Sequence, residues 1–282
     1  MSAVLRCPGR TLDLQRPLVM GVLNLTPDSF SDGGRYLDPD QAQVRAAEIE
    51  SQGAAIIDLG GESTRPGAAP VAAEEELRRV LPLLKSLHSS SRAVFSVDTS
   101  KPEVMRAAAA AGAHLINDVY ALRAPGALAA AAETGCAVCL MHMQGEPRTM
   151  QLAPHYTDVV AEVRAFLAQR VEACRAAGIA DERIVLDPGF GFGKTLEHNL
   201  TLLSRLSELS IDGLPILAGL SRKSMLGRLT GKPPAERVHA SVAAALIAAA
   251  NGARILRVHD VAATVDALKV LTAVREHAAL SE

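Results

Sequence analysis

The chain has 282 residues, enough for a large buried core and close to the usual size of a single (β/α)8 barrel. With 49% hydrophobic and 21% charged residues it is ordinary globular material, which excludes a disordered chain. A formal charge of −2 leaves no Lys/Arg excess to neutralise a nucleic-acid backbone, so no nucleic-acid partner is expected.

From Met1 to Asp13 no long apolar stretch follows a basic start, so no secretory signal is read. Alanine-rich runs such as 241–250 are too short to span a bilayer, so no membrane partner is expected. A cytoplasmic protein is the expectation, and the four cysteines fit a reducing compartment. Cys136 and Cys139 have CxxC spacing, but they stand in the apolar run 136–140. Positions three apart on a strand point to opposite faces, so two buried thiols are expected there.

After a lead-in, residues 1–17, expected to pack on the bottom of the barrel, the chain alternates apolar runs with helical patterns. Strands are predicted at 18–24, 55–59, 93–98, 114–118, 136–141, 183–187, 215–220 and 253–259. Their continuous apolar character suggests parallel strands covered on both faces. Between them, Leu77, Val80, Leu81, Leu84 and Leu87 form a helical stripe. Ser100 before Pro102 and Glu103 predicts an N-cap with a capping-box acid. Val160, Val163, Leu167, Val171 and Cys174 mark the expected longest helix, closed by Gly178; Val261, Val265 and Leu268 mark the last. Eight strand–helix units with short turns imply right-handed crossovers and closure into one α/β domain, a (β/α)8 TIM barrel over residues 18–282.

The predicted strand ends are unusually polar. They carry Asn24, Asp98, Asn117 with Asp118, His142, Asp187, and Arg257 with His259, and Ser221-Arg222-Lys223 follow the seventh strand. In this fold the C-terminal ends of the strands form the active-site face. Arg65, Arg222, Lys223, Arg257 and His259 supply cations and donors suited to phosphate oxygens. Asp98, Asn117 and Asp187 suit the donor-rich edge of a planar heterocycle. A phosphorylated heterocycle uses both halves, and the long segments after the first two strands are able to close over it. Two near-matches fail on mechanism. The run ending Gly193-Lys194-Thr195 has Pro188 where a P-loop needs glycine, and 189–193 lacks dinucleotide-binding spacing. No His/Cys/Asp spacing suggests a protein-held zinc site.

These motifs, taken together, resemble the dihydropteroate synthase family, pterin-binding barrel enzymes of folate biosynthesis. The resemblance rests on 20–34 (MGVLNLTPDSFSDGG), 58–67 (DLGGESTRPG), 96–99 (SVDT), 116–119 (INDV), 140–145 (LMHMQG), 187–194 (DPGFGFGK), 221–223 (SRK) and 257–259 (RVH). It implies a transferase that joins 6-hydroxymethyl-7,8-dihydropterin diphosphate to 4-aminobenzoate, giving 7,8-dihydropteroate and diphosphate with Mg2+. It further implies that Asp98, Asn117, Asp187, Met141, Gly219 and Lys223 form the pterin site, with Arg257 stacking on the ring. Asn24, Arg257 and His259 meet the diphosphate, Asn24 also near the metal. Phe30, Thr64, Arg65, Pro66, Phe192, Ser221 and Arg222 shape the aminobenzoate side. Asp98, Asp187, Lys223, Arg257 and His259 are the expected catalytic set. Members of this family are typically homodimers and sulfonamide targets. Two alternatives stand beside this reading. One is a methyltetrahydrofolate-dependent methyltransferase barrel, which needs no diphosphate site; the other is a pterin-binding homologue without turnover.

Overall fold

The computed structural model describes residues 4–26, 39–63, 69–88, 90–146 and 149–279. The first element is an antiparallel hairpin, β1 (Val4–Cys7) and β2 (Arg10–Asp13). The barrel follows: β3 (Leu18–Asn24), α1 (Pro39–Ser51), β4 (Ile56–Gly60), α2 (Ala73–His88), β5 (Val94–Asp98), α3 (Pro102–Ala110), β6 (Leu115–Asp118) and α4 (Ala127–Thr134). It continues with β7 (Ala137–Met141), α5 (Val159–Ala176), β8 (Ile184–Asp187), α6 (Leu196–Ser204) and β9 (Ile216–Ala218). It closes with α7 (Ser224–Thr230), α8 (Val238–Ala250), β10 (Ala253–Val258) and α9 (Val261–Ala279). Strands β3 to β10 pair in parallel and in sequence, and β10 returns to β3 to close the barrel.

The expected TIM barrel is therefore the fold observed. Each strand must be apolar on both sides, since helices cover the outside and side chains fill the inside. Ile57, Leu59, Phe95, Val97, Ile116, Val138 and Leu186 face the helices in the main core. The alternate residues Met20, Ile56, Val94, Leu115, Val185, Leu217 and Ile255 fill the interior. Leu5 and Leu14, from the hairpin and the segment after it, are fully buried in that same interior cluster. They stopper the N-terminal end of the barrel. Each contributes about 1.5–3 kcal/mol by burial. Cys136 and Cys139 fall in these two different clusters, and the four cysteines are free thiols.

Two helix details differ from expectation. Ser100 does not cap α3: the N-cap is Lys101, with no side-chain cap bond, and Pro102 supplies the preset φ of the first turn. The Ser100 hydroxyl is drawn instead to Asp118, 2.5 Å away. Helix α5 has 18 residues, but α9 has 19. The last turns of α9 are exposed, so no apolar period marks them in the sequence.

Candidate active site

The inward stripe changes character as it climbs each strand. Side chains two residues apart share a face, so β4 reads Ile56, Asp58, Gly60 and β5 reads Val94, Ser96, Asp98. On β6 the pair is Leu115 and Asn117, on β8 Val185 and Asp187, on β10 Ile255 and Arg257. The lower members are the apolar plug; the upper ones are polar. Register aligns them across the barrel: Asn24 pairs with Gly60, Gly60 with Asp98, and Asp98 with Asn117. On the other side Met141 pairs with Asp187.

At the base of this polar layer lies Asp58, wholly buried. Its Oδ2 accepts from Arg257 Nε at 2.7 Å and from Asn117 Nδ2 at 3.2 Å. Its Oδ1 accepts from Ser96 Oγ at 2.5 Å. A second guanidinium nitrogen of Arg257 donates to Asp98 Oδ2 at 3.1 Å. Arg257 sits one layer below Asp58, in register with Met20, so its side chain rises through the barrel to reach both carboxylates. This ion network fixes three of the expected site residues at once. Asp58 was not among them.

Across the mouth, Lys223 reaches back from the end of the β9 loop. Its Nζ donates to the Phe190 carbonyl and lies 4.7 Å from the centre of the Phe192 ring. Asp187 Oδ1 accepts from Gly189 N at 2.7 Å, which holds the following turn against the strand end. A methyl group built on Gly219 would lie 3.8 Å from Arg257 Cβ and 3.9 Å from Lys223 Nζ. The missing side chain therefore leaves space beside both cations. Met141 is buried with Val119, Met143 and Met150 in a small apolar cluster, against which Phe192 packs. Ser221 Oγ accepts from His259 N at 3.2 Å and stands 3.1 Å from His259 Nδ1.

Arg222 pairs with Asp260, its guanidinium nitrogens at 2.5 and 3.1 Å from the carboxylate. Two polar strand-end residues, Asp118 and His142, face away from the mouth. Asp118 alternates with Asn117 and so faces the helices. It accepts from Tyr120 N and Leu122 N, both at 2.8 Å, and folds a turn in which Ala121 and Leu122 take positive φ. His142 likewise packs outward, edge-on to Phe166. Phe30, Thr64, Arg65 and Pro66 lie outside the described residues.

A family model described as pterin binding enzyme matches residues 20–259, the whole span from the first barrel strand to the last. The chain belongs to the pterin-binding enzyme family. Within that family it is 56% identical over 265 residues to the dihydropteroate synthase of Escherichia coli strain K12, covering 94% of each chain. A solved Yersinia pestis dihydropteroate synthase in complex with a sulfonamide drug superposes with a TM-score of 0.93 at 55% identity. That match covers 97% of this chain and 99% of the other. A Burkholderia cenocepacia dihydropteroate synthase complexed with 7,8-dihydropteroate gives 0.91 at 53% identity, covering 99% of both.

The pterin-family site is strongly perturbed electrostatically. Burial pushes the Asp98 carboxyl up to about 8; Arg257 opposes this, while Asp58 and Asp118 add to it. Burial also raises Asp187, against the pull of Lys223 and the Gly189 N–H. Lys223 is pulled down to about 8 by burial, with Asp187 opposing and Arg257 reinforcing. Burial works against the Arg257 charge, but Asp58 and Asp98 outweigh it, so Arg257 stays firmly cationic. Acids raised and a lysine lowered within one mouth mark a place built to receive a polar ligand.

Proposed function

We propose that this chain acts as a dihydropteroate synthase, condensing 6-hydroxymethyl-7,8-dihydropterin diphosphate with 4-aminobenzoate. The supporting observation is the polar upper layer itself: Asp98, Asn117, Asp187, Lys223 and Arg257 converge above an apolar plug. Asp187, Asn117 and Asp98 offer acceptors and an amide to the guanidine-like edge of the pterin. Lys223 donates to its other edge, and the planar Arg257 guanidinium stacks on the ring. Gly219 leaves room for that flat ligand beside both cations. Asn24, Arg257 and His259 meet the diphosphate.

In the reaction the C–O bond to diphosphate breaks and its electron pair leaves with the diphosphate. Positive charge then spreads from the exocyclic CH2 into the electron-rich pterin; facing Asp98 and Asp187, whose carboxyls burial raises, that charge draws them toward the ionised form that helps to bear it. The lone pair of the neutral arylamine forms the new C–N bond, and the nitrogen sheds its proton. An arylamine is nucleophilic without help, so no strong general base is required. Ser221 and Phe192, together with Phe30, Thr64, Arg65 and Pro66 from outside the described residues, form the aminobenzoate side. Arg222, its guanidinium paired with Asp260, completes that side next to Ser221.

Mg2+ fits the donors present. Among the described residues no three His, Cys, Asp or Glu side chains form a metal-holding group. Asn24 offers one neutral oxygen at the mouth, 3.4 Å from where a side-chain carbon on Gly60 would stand. One protein oxygen completed by substrate phosphates and water is the usual way this ion is held. Bound there, it would neutralise the diphosphate and ease its departure.

A homodimer and a cytoplasmic location complete the reading. Leu200 on α6, Leu229 on α7 and Ile247 on α8 are exposed at 39%, 54% and 48%, on helices that pack side by side. Exposed apolar side chains on three adjoining helices suit a face shared by two copies. The free cysteines suit a reducing compartment. Asp98→Asn and Lys223→Ala test the functional reading: both are expected to lose turnover while circular dichroism and melting stay those of a folded barrel. Near-normal kinetics in both would show the pocket misplaced.

A further inference from the structure

The turn from β8 to α6 forms one wall of the pocket. It presents the Phe190 carbonyl to Lys223 and sets the Phe192 ring under the same ammonium. By its own chemistry this turn should be loose. Gly189, Gly191 and Gly193 have φ of +66°, +81° and +63°, a conformation whose ordering costs more entropy than any other residue type demands. A side chain at Gly189 would run into the His142 carbonyl, and one at Gly193 into the Gln144 carbonyl. The wall therefore needs to be held from behind.

Lys194 stands behind it, 3% exposed. Its Nζ donates to the carbonyls of Gly189 and Phe192, both at 3.0 Å, and lies 2.9 Å from His142 Nδ1. A weaker contact reaches the His142 carbonyl at 3.5 Å. The cluster is satisfied in either protonation state. An ammonium donates to all three close partners; a neutral amine donates to the two carbonyls and accepts from an Nδ1–H. Two further bonds grip the same turn. Tyr156 OH donates to the Gly193 carbonyl at 2.9 Å, and Gly191 N donates to Asn199 Oδ1 at 2.7 Å. These groups work behind the wall, and the mechanism above uses neither Lys194 nor Tyr156.

We infer that Lys194, seconded by Tyr156, is a positioning residue for the substrate pocket, fixing the 189–193 wall that orients Lys223 and Phe192. The inference rests on the functional reading above, and it separates from a general contribution to stability. The proposed diphosphate end, Asn24, Arg257 and His259, is carried by β3 and the β10 end and makes none of these bonds. Loss of the staple should therefore weaken pterin binding and spare diphosphate.

The test uses the full chain and two probes, 6-hydroxymethylpterin and inorganic diphosphate with Mg2+, titrated by calorimetry into the parent, Lys194→Met and Tyr156→Phe. Lys194→Met is expected to weaken pterin binding by about tenfold or more, about 1.4 kcal/mol, with diphosphate affinity within about twofold of the parent. Tyr156→Phe, which deletes one oxygen, should lose about threefold on pterin alone, and it carries the test if Lys194→Met does not fold. Pterin affinity within about twofold of the parent in the folded variants would overturn the inference. So would an equal loss for both probes. A parent that binds no pterin at all would instead overturn the functional reading beneath it.

Discussion

Replacing Asp58 is the sharpest perturbation available, because one buried carboxylate holds Arg257, Asn117 and Ser96 together. In Asp58→Asn the amide can turn its oxygen to Arg257 Nε and Asn117 Nδ2 and its NH2 to Ser96 Oγ. Every contact then survives and only the charge is lost. A charge-assisted hydrogen bond contributes about 1.5–3 kcal/mol, so a loss of about 2 kcal/mol in unfolding free energy is expected. Asp58→Ala is harsher. It leaves Arg257, 23% exposed at its side chain, with Asp98 as its remaining carboxylate partner at 3.1 Å. It also strands two donors, and breaking such a pair costs about 3–5 kcal/mol. The same series should act on catalysis, since Arg257 is proposed to face both the pterin and the diphosphate. kcat/KM is expected to fall about tenfold in the Asn variant and further in the Ala variant. Because Asp58 helps to raise Asp98, its neutralisation should also lower the Asp98 pKa. Urea unfolding at neutral pH and steady-state kinetics with each substrate varied provide the readouts. Both variants within about 0.5 kcal/mol of the parent, with unchanged kcat/KM, would refute the network as the organiser of the site.

Other outcomes follow from the same structure. Asp98 keeps its proton in the folded state up to about 8 but would release it near 3.8 when unfolded, so its contribution to stability is present at low pH and is lost as pH rises through that window. Asp98→Asn should therefore gain stability relative to the parent between pH 4 and 8, measured as urea midpoints; a constant difference would contradict the burial argument. Lys223 works in the opposite sense: its folded value of about 8 lies below the ordinary 10.5, so its contribution rises with pH between those limits, and Lys223→Met should remove that rise. Leu5→Ala should cost about 2–5 kcal/mol by opening the barrel plug while turnover per folded molecule stays that of the parent. Ile247→Arg, placed on the exposed α8 face, should shift the species seen by light scattering from dimer to monomer.

Much of the barrel was legible because its strands are buried on both faces and so stand out as continuous apolar runs. β3 matches its expected bounds, and β9, the shortest, is trimmed at both ends because its flanks belong to turns. The site was legible as a set of polar strand ends, but which of them face the mouth depends on alternation. With Asn117 inward, Asp118 must face the helices, and the two-residue period already contains that information. Asp58 also left a signal: a charge inside Ile56-Ile57-Asp58-Leu59 cannot be buried without a partner. The partner, Arg257, lies 199 positions further along the chain, where local pattern does not reach. The pairing of Arg222 with Asp260 and its positive φ were out of reach for the same reason, since both are products of tertiary structure. The Gly193-Lys194-Thr195 run resembled half of a phosphate loop; its lysine in fact turns inward to bind backbone carbonyls.

The most direct measurement supplies the purified chain with the pterin diphosphate, 4-aminobenzoate and Mg2+, and quantifies dihydropteroate and diphosphate in the same samples. The account predicts equal amounts of the two products, abolished when either substrate is left out. A folded protein that binds the pterin yet makes neither product would contradict it.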